Sequence, residues 1–146
     1  MNLSQDFKEF AELLNKHQVK YLIVGGYALA YHGFPRFTGD IDFWLEKSEE
    51  NASKVIASLN DFGFGSLGIS EEDFMSEQIV QLGYPPQRID LLTTISGVDF
   101  EDAWKQKEQM AYQNITLHFI DLEFLRRNKL ASGRNKDLDD LNNLPK

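Results

Sequence analysis

The sequence contains no cysteine, which excludes disulfide bonds, thiolate metal sites and a cysteine nucleophile. Positive charge is also scarce, because 15 Lys and Arg residues face 23 Asp and Glu residues and leave a net charge of -8. This balance disfavours a long nucleic-acid track and an anionic membrane surface as partners. No apolar run approaches the ~18 residues of a membrane span, and the first residues lack the basic patch and apolar segment of an export signal. We therefore expect a cytoplasmic protein that does not enter a membrane.

The chain is long enough for one compact domain and short for two. It has 146 residues, of which 42% are hydrophobic and 26% charged, with 11 Phe, 5 Tyr and 2 Trp. This composition supports a hydrophobic core and excludes disorder along the whole chain. We therefore predict a single domain over residues 1–146.

Hydrophobic periodicity predicts helices and strands that alternate along the chain. The predicted helices follow caps at Ser4, Ser48 and Asp121 and also cover residues 27–32, 99–107 and 134–144. The predicted strands are residues 19–24, 40–45, 79–82, 88–93 and 115–120, and the turn between the third and fourth indicates an antiparallel hairpin. The fold class is therefore α/β (α+β), a mixed sheet of about five strands flanked by helices.

One predicted strand carries two acidic residues in alternation. Asp40 and Asp42 point to one face, while Ile41, Phe43 and Leu45 point to the other. Two carboxylates this close repel each other unless a cation lies between them, and ligation by carboxylate oxygens suits Mg²⁺ or Mn²⁺. The alternative is that both residues end a strand at the protein surface.

A third acidic residue lies among apolar neighbours on a later predicted strand. Asp90 follows Gln87-Arg88-Ile89 and precedes Leu91-Leu92. If this strand adjoins the one with Asp40 and Asp42, three carboxylates converge, as a two-metal site for phosphoryl transfer requires. The alternative is an aspartate on an edge strand, paired with Arg88 or a lysine.

A pair of glycines lies between the first predicted strand and the short helix after it. Gly25 and Gly26 would let a phosphate approach the backbone closely, although a simple tight turn explains them as well. The chain has neither a Gly-x-Gly-x-x-Gly motif nor a Gly-x-x-x-x-Gly-Lys-Ser/Thr motif. Dinucleotide-binding Rossmann domains and P-loop NTPases are therefore disfavoured.

Taken together, these motifs match a known signature in order and residue type. Val24-Gly25-Gly26, the thirteen residues 27–39, Asp40-Ile41-Asp42-Phe43 and Asp90 resemble the nucleotidyltransferase superfamily of the polymerase-beta-like fold. Further residues are similar to its small bacterial branch, which includes abortive-infection, toxin-antitoxin and lincosamide nucleotidyltransferases: Ala28, His32-Gly33, Arg36 and Thr38. The resemblance covers residues 20 to about 93, with weaker similarity at Lys129, Gly133-Arg134 and Lys136-Asp137.

The resemblance implies a role for each matching residue. Asp40 and Asp42 would hold the metals, and Asp90 would complete the site and help to deprotonate the acceptor hydroxyl. Gly25 and Gly26 would offer backbone to the triphosphate.

Basic and polar residues near these motifs would complete the nucleotide site. Arg36 and Thr38 would contact phosphate or orient the first aspartate, although Arg36 could equally be a surface residue that neutralises the acids. The basic residues Lys129, Arg134 and Lys136 would close over the nucleotide phosphates, or alternatively place favourable charge near a helix C-terminus.

The expected activity is the Mg²⁺- or Mn²⁺-dependent transfer of a nucleoside monophosphate from an NTP to a hydroxyl on a protein, RNA or small-molecule acceptor, with release of pyrophosphate. A homodimer could supply a missing wall of the site, and the resemblance also makes a toxin-antitoxin role plausible. One rival is a catalytically silent nucleotide-binding or antitoxin-like module. Another is a glycosyltransferase, which the chain length and the glycine pair disfavour.

Overall fold

The computed structural model describes residues 1–34, 39–84 and 86–145. The helices in this part of the chain are α1 (Gln5–Lys16), α2 (Gly25–Tyr31), α3 (Glu49–Phe62), α4 (Phe100–Lys105), α5 (Leu122–Ser132) and α6 (Asn135–Asn143). The strands are β1 (Tyr21–Val24), β2 (Asp40–Leu45), β3 (Val80–Tyr84), β4 (Gln87–Leu92), β5 (Glu108–Tyr112) and β6 (Ile115–Phe119), and a 3-10 turn covers Glu71–Phe74. None of these helices combines the length and the apolar character needed to cross a bilayer.

The predicted helix caps are confirmed. The side chains of Ser4, Ser48 and Asp121 each accept a hydrogen bond from a backbone N–H in the first turn of α1, α3 and α5. These bonds satisfy donors that a helix start would otherwise leave without partners. At its other end α3 stops at Gly63, whose φ of +98° is a left-handed conformation that favours glycine.

The strands form one mixed sheet in the order β3-β4-β2-β1-β6-β5. The hairpin of β3 and β4 is antiparallel, as predicted, while β4 pairs with β2 and β6 pairs with β1 in parallel. The expectation of about five strands was wrong, because the described residues contain six. The missing strand is β5, an edge strand with no fully buried residue, so its sequence lacks the apolar signal that marks the others.

The alternation along β2 separates a hydrophobic face of the sheet from a face that carries acids. Phe43 packs against Phe10 of α1, with ring centroids 5.6 Å apart, and against Tyr21 of β1 at 5.4 Å. On the other face Trp44 contacts Phe100 of α4, with ring centroids 5.0 Å apart. Asp40 and Asp42 alternate with the core residues and therefore lie on the same face as Trp44.

Candidate functional site

The three acidic residues singled out in the sequence meet where β2 lies beside β4. The parallel register of these strands pairs Asp42 with Asp90 and Asp40 with Arg88. Because side chains directly opposite each other on neighbouring strands share a face, the carboxylates of Asp42 and Asp90 are immediate neighbours. The structure therefore brings together the three carboxylates that the sequence placed on separate segments, and β4 is an interior strand rather than an edge strand.

Arg88 joins two of these acids. Its Nε donates to Asp90 Oδ1 at 2.8 Å, and its Nη2 lies 3.1 Å from Asp90 Oδ2 and 3.0 Å from Asp40 Oδ2. The hydrogen bond with Asp90 raises the pKa of Arg88, with further contributions from the nearby acidic charges. The guanidinium thus fixes the orientation of the Asp90 carboxylate and partly neutralises the cluster.

The carboxylate of Asp42 has a strongly raised pKa. Burial, the charge of Asp90 and a hydrogen bond with Asp90 together raise the pKa of Asp42 from 3.8 to about 7, although Arg88 opposes this rise. The cluster therefore holds more negative charge than Arg88 alone balances. Additional positive charge next to Asp42 would favour its ionised form.

Gly25 allows the Asp42 carboxylate to lie directly against the backbone. Its φ is +70°, and a Cβ added there would lie 2.1 Å from Asp42 Oδ2. Any side chain at this position would therefore displace the carboxylate as well as strain the backbone. Gly26, the second glycine of the pair, is buried inside α2. Of the two, it is Gly25 that lines the cavity described next.

A cavity of about 590 Å³ opens over this cluster. Its walls bring Gly25, Asp40, Asp42, Arg88 and Asp90 together with basic residues of the C-terminal helices, Lys129, Arg134 and Lys136. This volume is within the range of small-molecule sites. The structure therefore places the three predicted carboxylates and the three predicted basic residues of the C-terminal helices around one space.

The basic residues of this cavity differ in how deeply they are buried and in how many ion pairs they form. Lys129 is buried, and its Nζ lies 3.0 Å from Asp137 Oδ1 and 3.2 Å from Asp140 Oδ2, which ties α5 to α6. Arg134 donates from Nε to Asp137 Oδ2 at 2.7 Å, although most of its side chain is exposed. Lys136 is exposed at the rim. Lys129 thus has a structural contact that the sequence interpretation did not include.

Asp137 is the centre of this ion-pair network. Burial raises the pKa of Asp137, but hydrogen bonds from Ser132, Arg134 and Lys129 outweigh burial and hold the pKa well below its usual value. The ionised carboxylate therefore fixes the angle between α5 and α6. This angle sets where Arg134 and Lys136 lie relative to the acidic cluster.

Two predicted site residues, Arg36 and Thr38, lie outside the described residues. Arg88, by contrast, entered the sequence interpretation only as an alternative partner of Asp90. The signal for its role is its spacing, because an arginine two positions before Asp90 shares its face of the strand. The structure unites both interpretations of Asp90, which adjoins Asp42 and also pairs with Arg88.

The donor chemistry of the cluster fits a divalent cation. Asp40, Asp42 and Asp90 offer the carboxylate oxygens that Mg²⁺ and Mn²⁺ prefer, and Asp42 adjoins more negative charge than Arg88 neutralises. Across residues 1–34, 39–84 and 86–145, however, no three acidic or histidine side chains are already arranged as a metal site. The guanidinium of Arg88 lies between Asp40 and Asp90, so a metal that bound both would have to displace it.

Two solved structures share the fold of this chain. TM1012 of Thermotoga maritima, assigned as a nucleotidyltransferase, is similar in structure with a TM-score of 0.62 and 17% identity over 93% of this chain and 88% of that one. The lincosamide antibiotic adenylyltransferase LnuA, solved with lincomycin bound, is similar with a TM-score of 0.56 and 17% identity over 98% of this chain and 97% of that one. At these identities the likeness shows a shared nucleotidyltransferase-like fold.

A search of curated proteins gives no match. The family described as "Nucleotidyltransferase of unknown function" (DUF6036) matches residues 1–144, almost the full chain. The chain belongs to this nucleotidyltransferase family.

Proposed function

We propose that this protein transfers a nucleoside monophosphate from a nucleoside triphosphate to a hydroxyl group at the cavity over Asp40, Asp42 and Asp90. The acceptor oxygen forms a bond to the α-phosphorus, the bond from the α-phosphorus to the bridging oxygen breaks, and pyrophosphate leaves. The observation that supports this proposal is the pairing of Asp42 with Asp90 across two parallel strands, beside a glycine that brings backbone into the same cavity.

The three carboxylates are the residues that would hold the metal. When bound there, Mg²⁺ or Mn²⁺ supplies the positive charge that lowers the pKa of the attacking hydroxyl and neutralises the leaving pyrophosphate. Asp40, Asp42 and Asp90 would thereby hold that charge beside the reacting phosphate. Their close grouping, which is unfavourable without a cation, is what this chemistry requires.

Asp90 has a second role beside metal binding, and other residues of the cavity bind and orient the substrates. Asp90, whose carboxylate Arg88 holds, would accept the proton of the acceptor hydroxyl. Gly25 exposes backbone without a side chain, which allows close approach of a phosphate. Arg134 and Lys136, which line the same cavity, would supply positive charge for the β- and γ-phosphates.

The similarity to LnuA supports transfer to a small acceptor as one form of this activity. That protein is an adenylyltransferase acting on a lincosamide antibiotic, and almost its whole length is covered by this chain. The fold of that enzyme is thus shared over almost the whole length of both chains. We infer no particular antibiotic for the present protein from this likeness.

A second candidate is a nucleotide-binding module without catalytic activity. It is favoured by Arg88, which already pairs with both Asp40 and Asp90 and would reduce the need for a metal. Such a module would bind a nucleoside triphosphate without releasing pyrophosphate.

The experiment that separates the two candidates follows label from each α-³²P NTP, with Mg²⁺ or Mn²⁺, into protein, RNA and small-molecule fractions of a cell lysate. We expect transfer of label with pyrophosphate release, and loss of at least a hundredfold in rate for Asp42→Asn. Asp102→Asn, an exposed aspartate on α4, is the matched control and should retain the wild-type rate. Nucleotide binding with no pyrophosphate release would favour the silent module. Equal rates in both variants would contradict the assignment of Asp42.

A further inference from the structure

Two basic residues at the cavity pair with carboxylates, and they differ in how readily they can move. The side chain of Lys129 is 7% exposed and lies between the carboxylates of Asp137 and Asp140, which are 2% and 3% exposed. The side chain of Arg88 is 24% exposed and contacts Asp40, whose side chain is 35% exposed. Arg88 can therefore leave Asp40 without opening a buried contact, whereas Lys129 cannot leave its partners in this way.

The hydrogen bonds of the Arg88 guanidinium are divided unequally between two acids. Its Nε and Nη2 both contact Asp90, at 2.8 and 3.1 Å, while only Nη2 contacts Asp40, at 3.0 Å. Loss of the contact with Asp40 would therefore leave a two-point contact that still orients the Asp90 carboxylate. The guanidinium can thus move away from Asp40 while it remains attached to Asp90.

The sheet does not need the contact between Arg88 and Asp40. Strands β2 and β4 pair at five register positions, from Asp40↔Arg88 to Trp44↔Leu92. On its other side β4 pairs with β3 over its whole hairpin. Because backbone hydrogen bonds already join these strands, the effect of the contact between the two side chains is mainly electrostatic.

The guanidinium occupies space that a metal bound to Asp40 and Asp90 would need. No acidic cluster within the part of the chain that the structure describes is already arranged to hold a metal, and Arg88 lies between these two carboxylates. A unit positive charge about 4 Å from a divalent cation weakens its binding roughly thirtyfold, even at the dielectric constant of water. In the protein without nucleotide, Arg88 therefore competes with the metal for the same acids.

A bound nucleoside triphosphate would change this balance. Arg88 lines the same cavity as Gly25, Arg134 and Lys136, where the proposed function places the phosphates. A phosphate offers a guanidinium a bidentate partner in place of a carboxylate. Once Arg88 contacts a phosphate, the cation that competes with the metal is no longer beside Asp40.

We propose that Arg88 couples metal binding to nucleotide binding: it weakens the binding of divalent metal to the protein without nucleotide, and the phosphates of a bound NTP draw its guanidinium away from Asp40. Arg88 is thus a positioning residue that acts through Asp40 and Asp90. Metal and NTP then bind together, rather than metal first. This inference rests on the part of the proposed function that places an NTP in the cavity.

The first arm of the test measures the binding of Mn²⁺ alone, from the electron paramagnetic resonance signal of free Mn²⁺. Arg88→Gln removes the charge and should bind Mn²⁺ about tenfold or more tightly than wild type does. Arg88→Lys keeps the charge and should stay within about threefold of wild type. Arg127→Gln removes a charge from an exposed arginine of α5, and as the matched control it should have the wild-type affinity.

The second arm adds nucleotide and is measured by isothermal titration calorimetry. The probes are the α,β-methylene analogues of ATP, GTP, CTP and UTP, each premixed with equimolar Mn²⁺. Wild type should bind at least one of these complexes, and Arg88→Gln should bind it no more tightly, because nucleotide has already removed the competition in the wild type. With EDTA in place of Mn²⁺, Arg88→Gln should bind the same analogue about tenfold more weakly, since it has lost a phosphate contact.

The two arms together separate coupling from a merely structural role. A distorted site would bind Mn²⁺ alone and nucleotide alone less well, whereas coupling tightens the first and weakens the second. An affinity of Arg88→Gln for Mn²⁺ that does not exceed that of wild type would overturn the proposal, and so would an equal gain for Mn²⁺ alone and for its complex with the analogue. If Arg88→Gln unfolds in EDTA, we expect Mn²⁺ alone to refold it, as followed by circular dichroism, and failure to refold would also overturn the proposal.

Turnover separates this inference from the function on which it rests. Transfer of label from an α-³²P NTP by the wild type, with no gain in Mn²⁺ affinity for Arg88→Gln, would overturn the role of Arg88 and leave nucleotidyl transfer intact. The expected pattern of affinities without any transfer of label would support the coupling and contradict nucleotidyl transfer.

Discussion

Replacing Asp42 with asparagine is expected to stabilise the protein at neutral and alkaline pH when no divalent metal is present. Burial and the neighbouring Asp90 raise the pKa of Asp42 from 3.8 in an unperturbed aspartate to about 7 in the folded protein. Because the folded state then binds a proton that the unfolded state releases, the free energy of unfolding falls as pH rises from about 4 to about 7. At about 1.4 kcal/mol per pH unit, ionised Asp42 lowers stability by on the order of 4 kcal/mol above this range. An asparagine amide avoids the charge and can still donate a hydrogen bond to Asp90.

The assay is urea unfolding at pH 4, 5, 6, 7 and 8 in the presence of EDTA. The free energy of unfolding of Asp42→Asn should be close to that of the wild type at pH 4. It should exceed the wild-type value by an increasing amount up to pH 7 and by a constant amount at higher pH. Saturating Mg²⁺ should then stabilise the wild type and leave the variant nearly unchanged, since anything that binds only the folded state adds to its stability. Asp102→Asn, at an exposed position, controls for the loss of a carboxylate. Stability curves of wild type and Asp42→Asn that run parallel across the pH range would refute the reasoning.

Two further substitutions test how the walls of the cavity are held in place. Lys129→Met should lower the free energy of unfolding by about 3 to 5 kcal/mol, because it leaves buried carboxylates with less counter-charge. The exposed Lys105→Met should change it by no more than about 0.5 kcal/mol in the same urea titration, and equal effects would contradict the buried ion pair. Gly25→Ala should cost about 1 to 2 kcal/mol for the left-handed backbone and should also abolish the gain in melting temperature with Mg²⁺, because its Cβ displaces the Asp42 carboxylate. A full Mg²⁺ response in that variant would show that the carboxylate does not depend on Gly25.

Strong local patterns made much of the fold predictable from the sequence. The alternation in residues 40–45 gave both the strand β2 and the face on which its acids lie, because a period of two is specific to strands. The serine and aspartate caps located the starts of three helices for an equally local reason. Strand β5 was missed because an exposed edge strand needs no apolar alternation.

The site depends on contacts between segments that are distant in the sequence, and these were harder to predict. The three acids converge because β2 pairs with β4. From the sequence alone, this pairing could only be assumed. The burial of Lys129 depends on how α6 folds back on α5, so its partner carboxylates could not be recognised from a basic stretch.

The central claim is that Asp40, Asp42 and Asp90 jointly hold divalent metal beside a nucleoside triphosphate. Crystals grown with Mn²⁺ and a non-hydrolysable NTP analogue test it through the anomalous scattering of manganese. The account predicts one or two anomalous peaks at about 2.1 Å from oxygens of Asp40 and Asp42, with the Arg88 guanidinium moved away from Asp40. Bound nucleotide with no anomalous peak at these carboxylates, and Arg88 still joined to Asp40 and Asp90, would contradict it.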